Sequence, residues 1–504
     1  MYRDYLKHIL TAPVYDVAIE TPLAEAPGIS RRLDNRVRLK REDMQPVFSY
    51  KLRGAYTLMA SLTPEQRARG VIAASAGNHA QGVALAADRL GIEARIVMPK
   101  TTPEIKVSAV RRLGAEVILH GSSYDDAQER AHAIEVEDGL TYVPPFDHPL
   151  TIAGQGTVGL EIVRQSATPP DAIFVPVGGG GLIAGIGVLF KALDLPTRII
   201  GVEPDEAPSL SEALRLDERV CLERVGIFAD GAAVRQVGEE CFRLCREVVD
   251  EVLTVSVDEI CAAVKDIFED TRSIAEPAGA LALAGLKQYV ARHGSKGEDL
   301  VAIFSGANVN FDRLRYIAEL AELGEQREVL IATYLPERPG AFRAFCQALG
   351  PRQITEFNYR YADSDRATVF AGVQTKGGAE ERSALLADLT ARGYEAYDIT
   401  DEQVAKLHVR HMVGGRGQGV TNERLYRFEF PERPGALLKF LQTLGERFNI
   451  SLFHYRNHGA AFGRVLMGVQ MCEQEVPVFE GLLDAIDVQF VAEPASRAYE
   501  MFLS

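Results

Sequence analysis

The chain has 504 residues, 25% of them charged and 47% hydrophobic, with a formal net charge of −15. Several domains with sizeable cores are expected at that length. The acidic balance argues against broad binding to nucleic acid or an anionic membrane, since both need a basic face. The opening MYRDYLKHILTAPVYD lacks the apolar core of a secretion signal, and the six cysteines show no CxxC pair or framework spacing. A cytoplasmic chain with reduced thiols is the expectation.

Pro46 to Tyr56 reads PVFSYKLRGAY, an apolar-aromatic run that ends at Ser49-Tyr50 before a single lysine, Lys51. Leu58, Met59, Ala60 and Leu62 continue at helical spacing, and Pro64-Glu65 is expected to close the helix. Ser49 stands where a cap would, with Lys51 in the first turn. A lysine desolvated near the positive end of a helix has a lowered pKa and is a candidate nucleophile for carbonyl chemistry. A solvated lysine in the same turn has no such role, and the segment alone fits both.

From about Val37 to Asn310 short β-rich runs alternate with helix-length stretches, the pattern of α/β layers with parallel strands. Strands are predicted at Val71–Ala74, Ala94–Met98, Glu116–Leu119, Ile173–Val177, Ile199–Pro204 and Leu300–Phe304. Helices are predicted at Ala80–Leu90, Ile105–Leu113, Ser122–Asp138 and Leu182–Leu193. Ligands gather at the carboxyl ends of such strands, which puts the turns after Ala74, Val177, Val202 and Phe304 forward as the site. The uncharged run Ala172 to Phe190 is long enough to span a membrane, but Pro176 and four glycines break any helix there.

Gly178, Gly179, Gly180 and Gly181 lie between a strand and a helix, where successive backbone N–H groups converge on an anion. No Gly-Lys-Ser/Thr ending follows, so a single phosphate is the expected guest, with a tight βα turn as the alternative. Gly154-Gln155-Gly156-Thr157-Val158-Gly159 is a GxGxxG, but His148 to Ala153 make a poor preceding strand and the dinucleotide reading is set aside.

Tyr316 to Arg327 reads as a polar helix or connector, and beyond it the chain repeats itself. LPERPGAFRAFCQALG from Leu335 matches FPERPGALLKFLQTLG from Phe430, and ITEFNYR from Ile354 matches ISLFHYR from Ile450. Each copy reads as strand, Pro-Gly turn, amphipathic helix and two further strands, a ferredoxin-like unit. His408 and His411 raise a metal reading that no further ligand cluster supports, so no metal is expected.

VFSYKLRGAY, SAGNHAQG, VGGGGL, AEPAGAL and FSGANVN, in this order and spacing, resemble the pyridoxal-phosphate enzymes of the tryptophan-synthase-β fold type. Among these the chain is most similar to the biosynthetic threonine dehydratases (threonine ammonia-lyases), over nearly its whole length. The resemblance implies an α/β, two-domain open-sheet catalytic part at 1–320, with a small subdomain at about 42–150. A connector at 321–327 and two α+β ACT-like regulatory units at 328–400 and 423–494 would follow.

It also implies roles. Lys51 would bond the aldehyde of pyridoxal 5'-phosphate as a Schiff base and later take the substrate Cα proton. Asn78 would bond the cofactor's ring hydroxyl. Gly178, Gly179, Gly180, Gly181 and the Leu182 N–H would hold its phosphate, and Ser305 would face the ring nitrogen. Ser75, Gly77 and His79 would belong to the loop that takes the substrate carboxylate, with Glu276 beside the site in an unassigned role. Tyr50 replaces the family's usual phenylalanine, and Ala76 stands where related serine racemases carry a serine, which disfavours racemisation.

The implied reaction converts L-threonine to 2-oxobutanoate and ammonia in isoleucine biosynthesis, with isoleucine as inhibitor, valine as antagonist and a homotetramer as the assembly. A serine-preferring dehydratase and a non-catalytic amino-acid sensor are the alternatives.

Overall fold

The structure is a computed structural model that describes residues 2–311, 313–324, 328–336, 338–361, 366–375, 378–402, 405, 409, 420–431, 438, 440–442, 447–456, 462–484 and 489–492. Two compact units divide the chain, Met1–Gly324 and Glu325–Ser504. His408, His411 and all of the second Pro-Glu-Arg-Pro-Gly turn after Pro431 lie outside the described residues. Among the described residues no helix is long and apolar enough to cross a membrane.

The first unit holds two sheets. The larger runs in the order Leu23–Glu25, Arg36–Arg41, Asp299–Phe304, Ala172–Pro176, Arg198–Pro204, Glu251–Val255. All its pairs are parallel except the first. The smaller is wholly parallel, in the order Glu116–Leu119, Ala94–Met98, Val71–Ala74, Thr141–Tyr142. Central strands such as VIAA and AIFVP are buried throughout, because helices cover both faces of a parallel sheet.

Glycine sets how closely the helices approach the one that begins at Lys51, helix Lys51–Ala60. A Cβ on Gly82, in helix Asn78–Leu90, would stand 2.9 Å from the Leu52 nitrogen and 3.1 Å from the Lys51 carbonyl carbon. A Cβ on Gly154, in helix Pro149–Gln165, would stand 2.5 Å from the Arg53 carbonyl oxygen. The GxGxxG is thus a helix-packing surface within a helix. The same helix is also held by a buried ionic cluster. Arg53 pairs with Glu42 at 2.8 Å and Glu161 at 2.6 Å, and Lys40 pairs with Glu161 at 2.6 Å, all four side chains 0% exposed. Charges taken that far from water persist only when each is paired.

Two local expectations are corrected. Ser49 does not cap the lysine helix: Tyr50 occupies the cap position without a side-chain bond, and the buried Ser49 hydroxyl has no partner among the described residues. Pro64-Glu65 opens a further helix, Pro64–Arg69, because Thr63 and Gln66 close a reciprocal capping box.

The second unit is one antiparallel sheet in the order Tyr397–Asp398, Glu328–Pro336, Arg366–Gln374, Ile354–Tyr361, Asn449–Arg456, Phe462–Gln470, Glu423–Pro431, Gln489–Ala492. Helices Ala341–Leu349, Gly378–Ala391 and Val476–Asp484 send Phe345, Leu389 and Phe479 into the core shared with Phe357, Val369 and Phe453. The two copies meet at Ile354–Tyr361 and Asn449–Arg456, where Asn358 lies opposite His454, its own counterpart in the repeat. The pseudo-dyad passes through that pair. Equivalent buried clusters, Thr355 donating to Glu328 and Ser451 donating to Glu423, recur on either side.

Candidate active site

Lys51 is the first residue of its helix. Its Nζ donates to the Pro145 carbonyl at 3.2 Å and lies 5.3 Å from the centre of the Tyr50 ring. Burial lowers its pKa to about 8, with Cys241 and Glu276 nearby pulling the other way. Desolvation, rather than a capped helix end, is therefore the main cause of the shift. Near neutral pH an appreciable share of the amine is unprotonated and nucleophilic.

Contacts running out from Lys51 gather most of the sequence-predicted residues. The Tyr50 N–H reaches the Ser305 carbonyl at 3.4 Å, just past strand Asp299–Phe304, and Ser49 bridges to Gly306. The Ser305 hydroxyl donates to the Ala278 carbonyl at 3.4 Å. Asn78 Nδ2 donates to Glu276 Oε1 at 2.5 Å, and Asn78 Oδ1 accepts from Asn308 Nδ2 at 2.7 Å. Glu276 is 4% exposed and makes no cap bond to the helix it precedes, so it is a buried group and not a solvated cap partner. Burial, then Asp230, pushes its pKa up to about 7.

His79 is buried on the same helix as Asn78. Its Nε2 lies 2.8 Å from the Val143 carbonyl, which can only accept, so the proton sits on Nε2 and Nδ1 keeps a lone pair. That buried Nδ1 has no partner among the described residues. Burial, with the nearby Lys51 charge, lowers the His79 pKa to about 3. Ser75 follows strand Val71–Ala74, and its hydroxyl accepts from the Gly77 N–H at 3.2 Å.

The four glycines run from strand Ala172–Pro176 into helix Gly181–Ala192, with Leu182 in its first turn. Gly180 adopts φ +93°, and no side chain caps the helix. A Cβ on Gly179 would stand 2.2 Å from the Phe146 ring, and one on Gly180 3.0 Å from Cys241 Cβ. Bare backbone donors at an uncapped helix start, one residue stretch away from a buried amine bonded to Pro145, fit the phosphate and aldehyde ends of pyridoxal phosphate.

Sequence reasoning passed over Phe146, Asp147 and Cys241. Asp147 accepts from the Glu239 and Cys241 N–H groups at 2.8 and 3.1 Å, capping helix Glu239–Val248 from 92 residues away. Asn308 stood inside FSGANVN and drew no role; an asparagine after a strand-end glycine was the available signal.

A profile for "Pyridoxal-phosphate dependent enzyme" matches residues 14–306, and one for the "C-terminal regulatory domain of Threonine dehydratase" matches 319–409 and 414–503. The chain is 54% identical over 501 residues to the biosynthetic L-threonine dehydratase IlvA of Salmonella typhimurium, covering 99% of this chain and 97% of that one. The chain belongs to the threonine dehydratase family. It is therefore a pyridoxal-phosphate-dependent enzyme. Within that family, threonine dehydratase 1 of Solanum lycopersicum is 53% identical, covering 99% of this chain and 82% of its own. The solved processed form of Solanum lycopersicum threonine deaminase isoform 2 superposes with a TM-score of 0.62 at 52% identity, over 64% of this chain and 93% of that one. A maize serine racemase structure matches at 32% identity and a TM-score of 0.58, over 62% of this chain and 94% of that one.

Proposed function

We propose that this threonine dehydratase family member removes water and then ammonia from L-threonine, giving 2-oxobutanoate, as the first committed step of isoleucine biosynthesis. The observation that carries the reading is the buried Lys51 amine, its pKa lowered by desolvation, close to a side-chain-free glycine cradle. Pyridoxal phosphate, when bound, supplies the electron sink that lets a Cα–H bond of an amino acid break.

The chain's own residues do the rest. Lys51 would hold the cofactor through its carbonyl, and its amine would take the Cα proton, a task suited to an amine whose pKa is lowered by burial to about 8. N–H groups of Gly178, Gly179, Gly180, Gly181 and Leu182 hold the phosphate. Asn78 offers an amide N–H to the ring oxygen. The Ser305 hydroxyl would face the ring nitrogen as a neutral partner, turning from the Ala278 carbonyl, and such a partner would leave the ring a weak sink suited to loss of the β-hydroxyl. Ser75, Gly77 and His79 orient the substrate carboxylate; because Ser75 already accepts the Gly77 N–H, the serine hydroxyl proton is left to donate.

The regulatory reading assigns residues 1–320 to catalysis, 321–327 to a connector, and 328–400 and 423–494 to two ACT-like units, with isoleucine inhibiting, valine relieving, and a cytoplasmic homotetramer as the assembly. Support comes from the repeat match and from a cleft in the second unit. Arg338, Arg343, Phe342 and Tyr359 of one repeat and Phe448, Ile450 and Phe479 of the other line it, two guanidinium groups beside apolar walls. Keto-acid formation from threonine and serine, with and without isoleucine, tests the whole reading. Threonine turnover that isoleucine suppresses is expected. Faster turnover of serine would favour a serine dehydratase, and no turnover a sensor.

A further inference from the structure

Asn78 is joined to Glu276 and Asn308 in a closed ring of hydrogen bonds whose direction is fixed from outside. Asn308 Nδ2 donates to the Val47 carbonyl at 2.9 Å, and a backbone carbonyl can only accept. Asn308 must therefore turn its amide nitrogen, not its oxygen, toward Val47. The same nitrogen is 2.7 Å from the Asn78 side chain, so Asn78 has to present Oδ1 there. Asn78 Nδ2 is left facing Glu276 Oε1 at 2.5 Å, and Glu276 also accepts from the Asn308 backbone N–H. A flipped Asn78 would set its nitrogen against the Asn308 amide nitrogen, a donor facing a donor, and its oxygen against Glu276, a second clash whenever that carboxyl is ionised.

The surroundings protect this ring. A Cβ on Gly306 would stand 2.4 Å from Glu276 Oε1, so glycine is what lets the carboxylate in. From the loop that covers it, Gly231 comes within 4 Å of both Glu276 Oε1 and Asn78 Nδ2 when given a Cβ. Val47 and Lys51 share one short segment, so the ring also ties Asn78 to the loop that delivers the lysine. Counting donors settles what Asn78 has to offer. Its oxygen and one N–H are engaged inside the ring, and a single N–H remains.

We propose that Glu276 and Asn308 are positioning residues that lock the flip of the Asn78 amide, so that Asn78 offers the cofactor's ring oxygen an N–H and never its own carbonyl. The inference rests on the reading of Asn78 given above. Neither residue touches the cofactor in this scheme; each acts through Asn78.

The test uses the holoenzyme and reads the position and pH titration of the cofactor's absorption band, together with its dissociation constant. Asn78→Ala is expected to shift the band and weaken retention. Glu276→Gln, which replaces an acceptor-only carboxylate by a neutral amide and weakens the bond that holds Asn78 Nδ2, is expected to shift the band in the same sense and weaken retention roughly tenfold. In an Asn78→Ala background Glu276→Gln adds nothing further. Asn308→Ala provides the same comparison from the other side of the ring, should Glu276→Gln fold poorly. A wild-type band in Glu276→Gln and Asn308→Ala beside a shifted one in Asn78→Ala overturns the lock alone, as does full additivity in the double variant. An unshifted band in Asn78→Ala overturns both the lock and the assignment of Asn78.

Discussion

At the scale of single residues, burial decides what the site groups are able to do. Lys51 and His79 are both basic groups held toward their neutral forms by desolvation, the lysine to about 8 and the imidazole to about 3. For His79 the consequence has a sign. Below its ordinary pKa of 6.5 the unfolded chain takes up a proton that the folded chain refuses down to about 3, so stability present above 6.5 is lost as the pH falls through that window. At pH 5.5 the loss from this one group is on the order of 1 kcal/mol. Melting of the wild type and His79→Gln at pH 7.5 and 5.5 should show a steeper drop in the wild type, and equal drops would refute the assignment. Motifs such as SAGNHAQG and VGGGGL are contiguous, so their residues were legible as candidates in the sequence. Their partners were not. Asp147 caps a helix 92 residues on, and Asn308 meets Asn78 across 230, distances at which a single sequence carries no pairing signal.

Elements were legible where both faces are buried. Strands at Val71–Ala74 and Ala94–Met98 coincide with the apolar runs that mark them, while Glu116–Leu119, a partly exposed edge strand, was legible from its β-branched centre alone. Arg36–Arg41 escaped notice because RVRLKR looks solvated, yet Arg38 and Lys40 are buried by ion pairs to Asp299 and Glu161. Thr141–Tyr142 is too short to show a period. Ser49 was misread as a cap since serine favours that position, but tertiary contacts place the helix start one residue later. Packing at Gly82 links an element to the chemistry. Gly82→Ala is expected to cost about 1–3 kcal/mol, because the backbone it meets cannot yield as a flexible side chain would. It should also lower turnover by moving the lysine helix, so a variant with unchanged melting and kinetics would contradict the packing argument.

For the whole molecule, duplication made the regulatory half legible, since two copies of PERPGA and of ITEFNYR-like segments expose each other. How the copies join was not written there. That they form one continuous sheet about the Asn358–His454 pair depends on strand edges whose partners lie about a hundred residues away. A chain ended at Gly324 is expected to keep keto-acid formation from threonine and to lose its response to isoleucine; retained inhibition would remove regulation from the second unit. All of this depends on where the cofactor is attached. Borohydride reduction of the holoenzyme followed by peptide mass spectrometry gives the answer directly. The expected result is a single pyridoxyl adduct on Lys51, absent from Lys51→Ala. An adduct on another lysine, or none, would contradict the account.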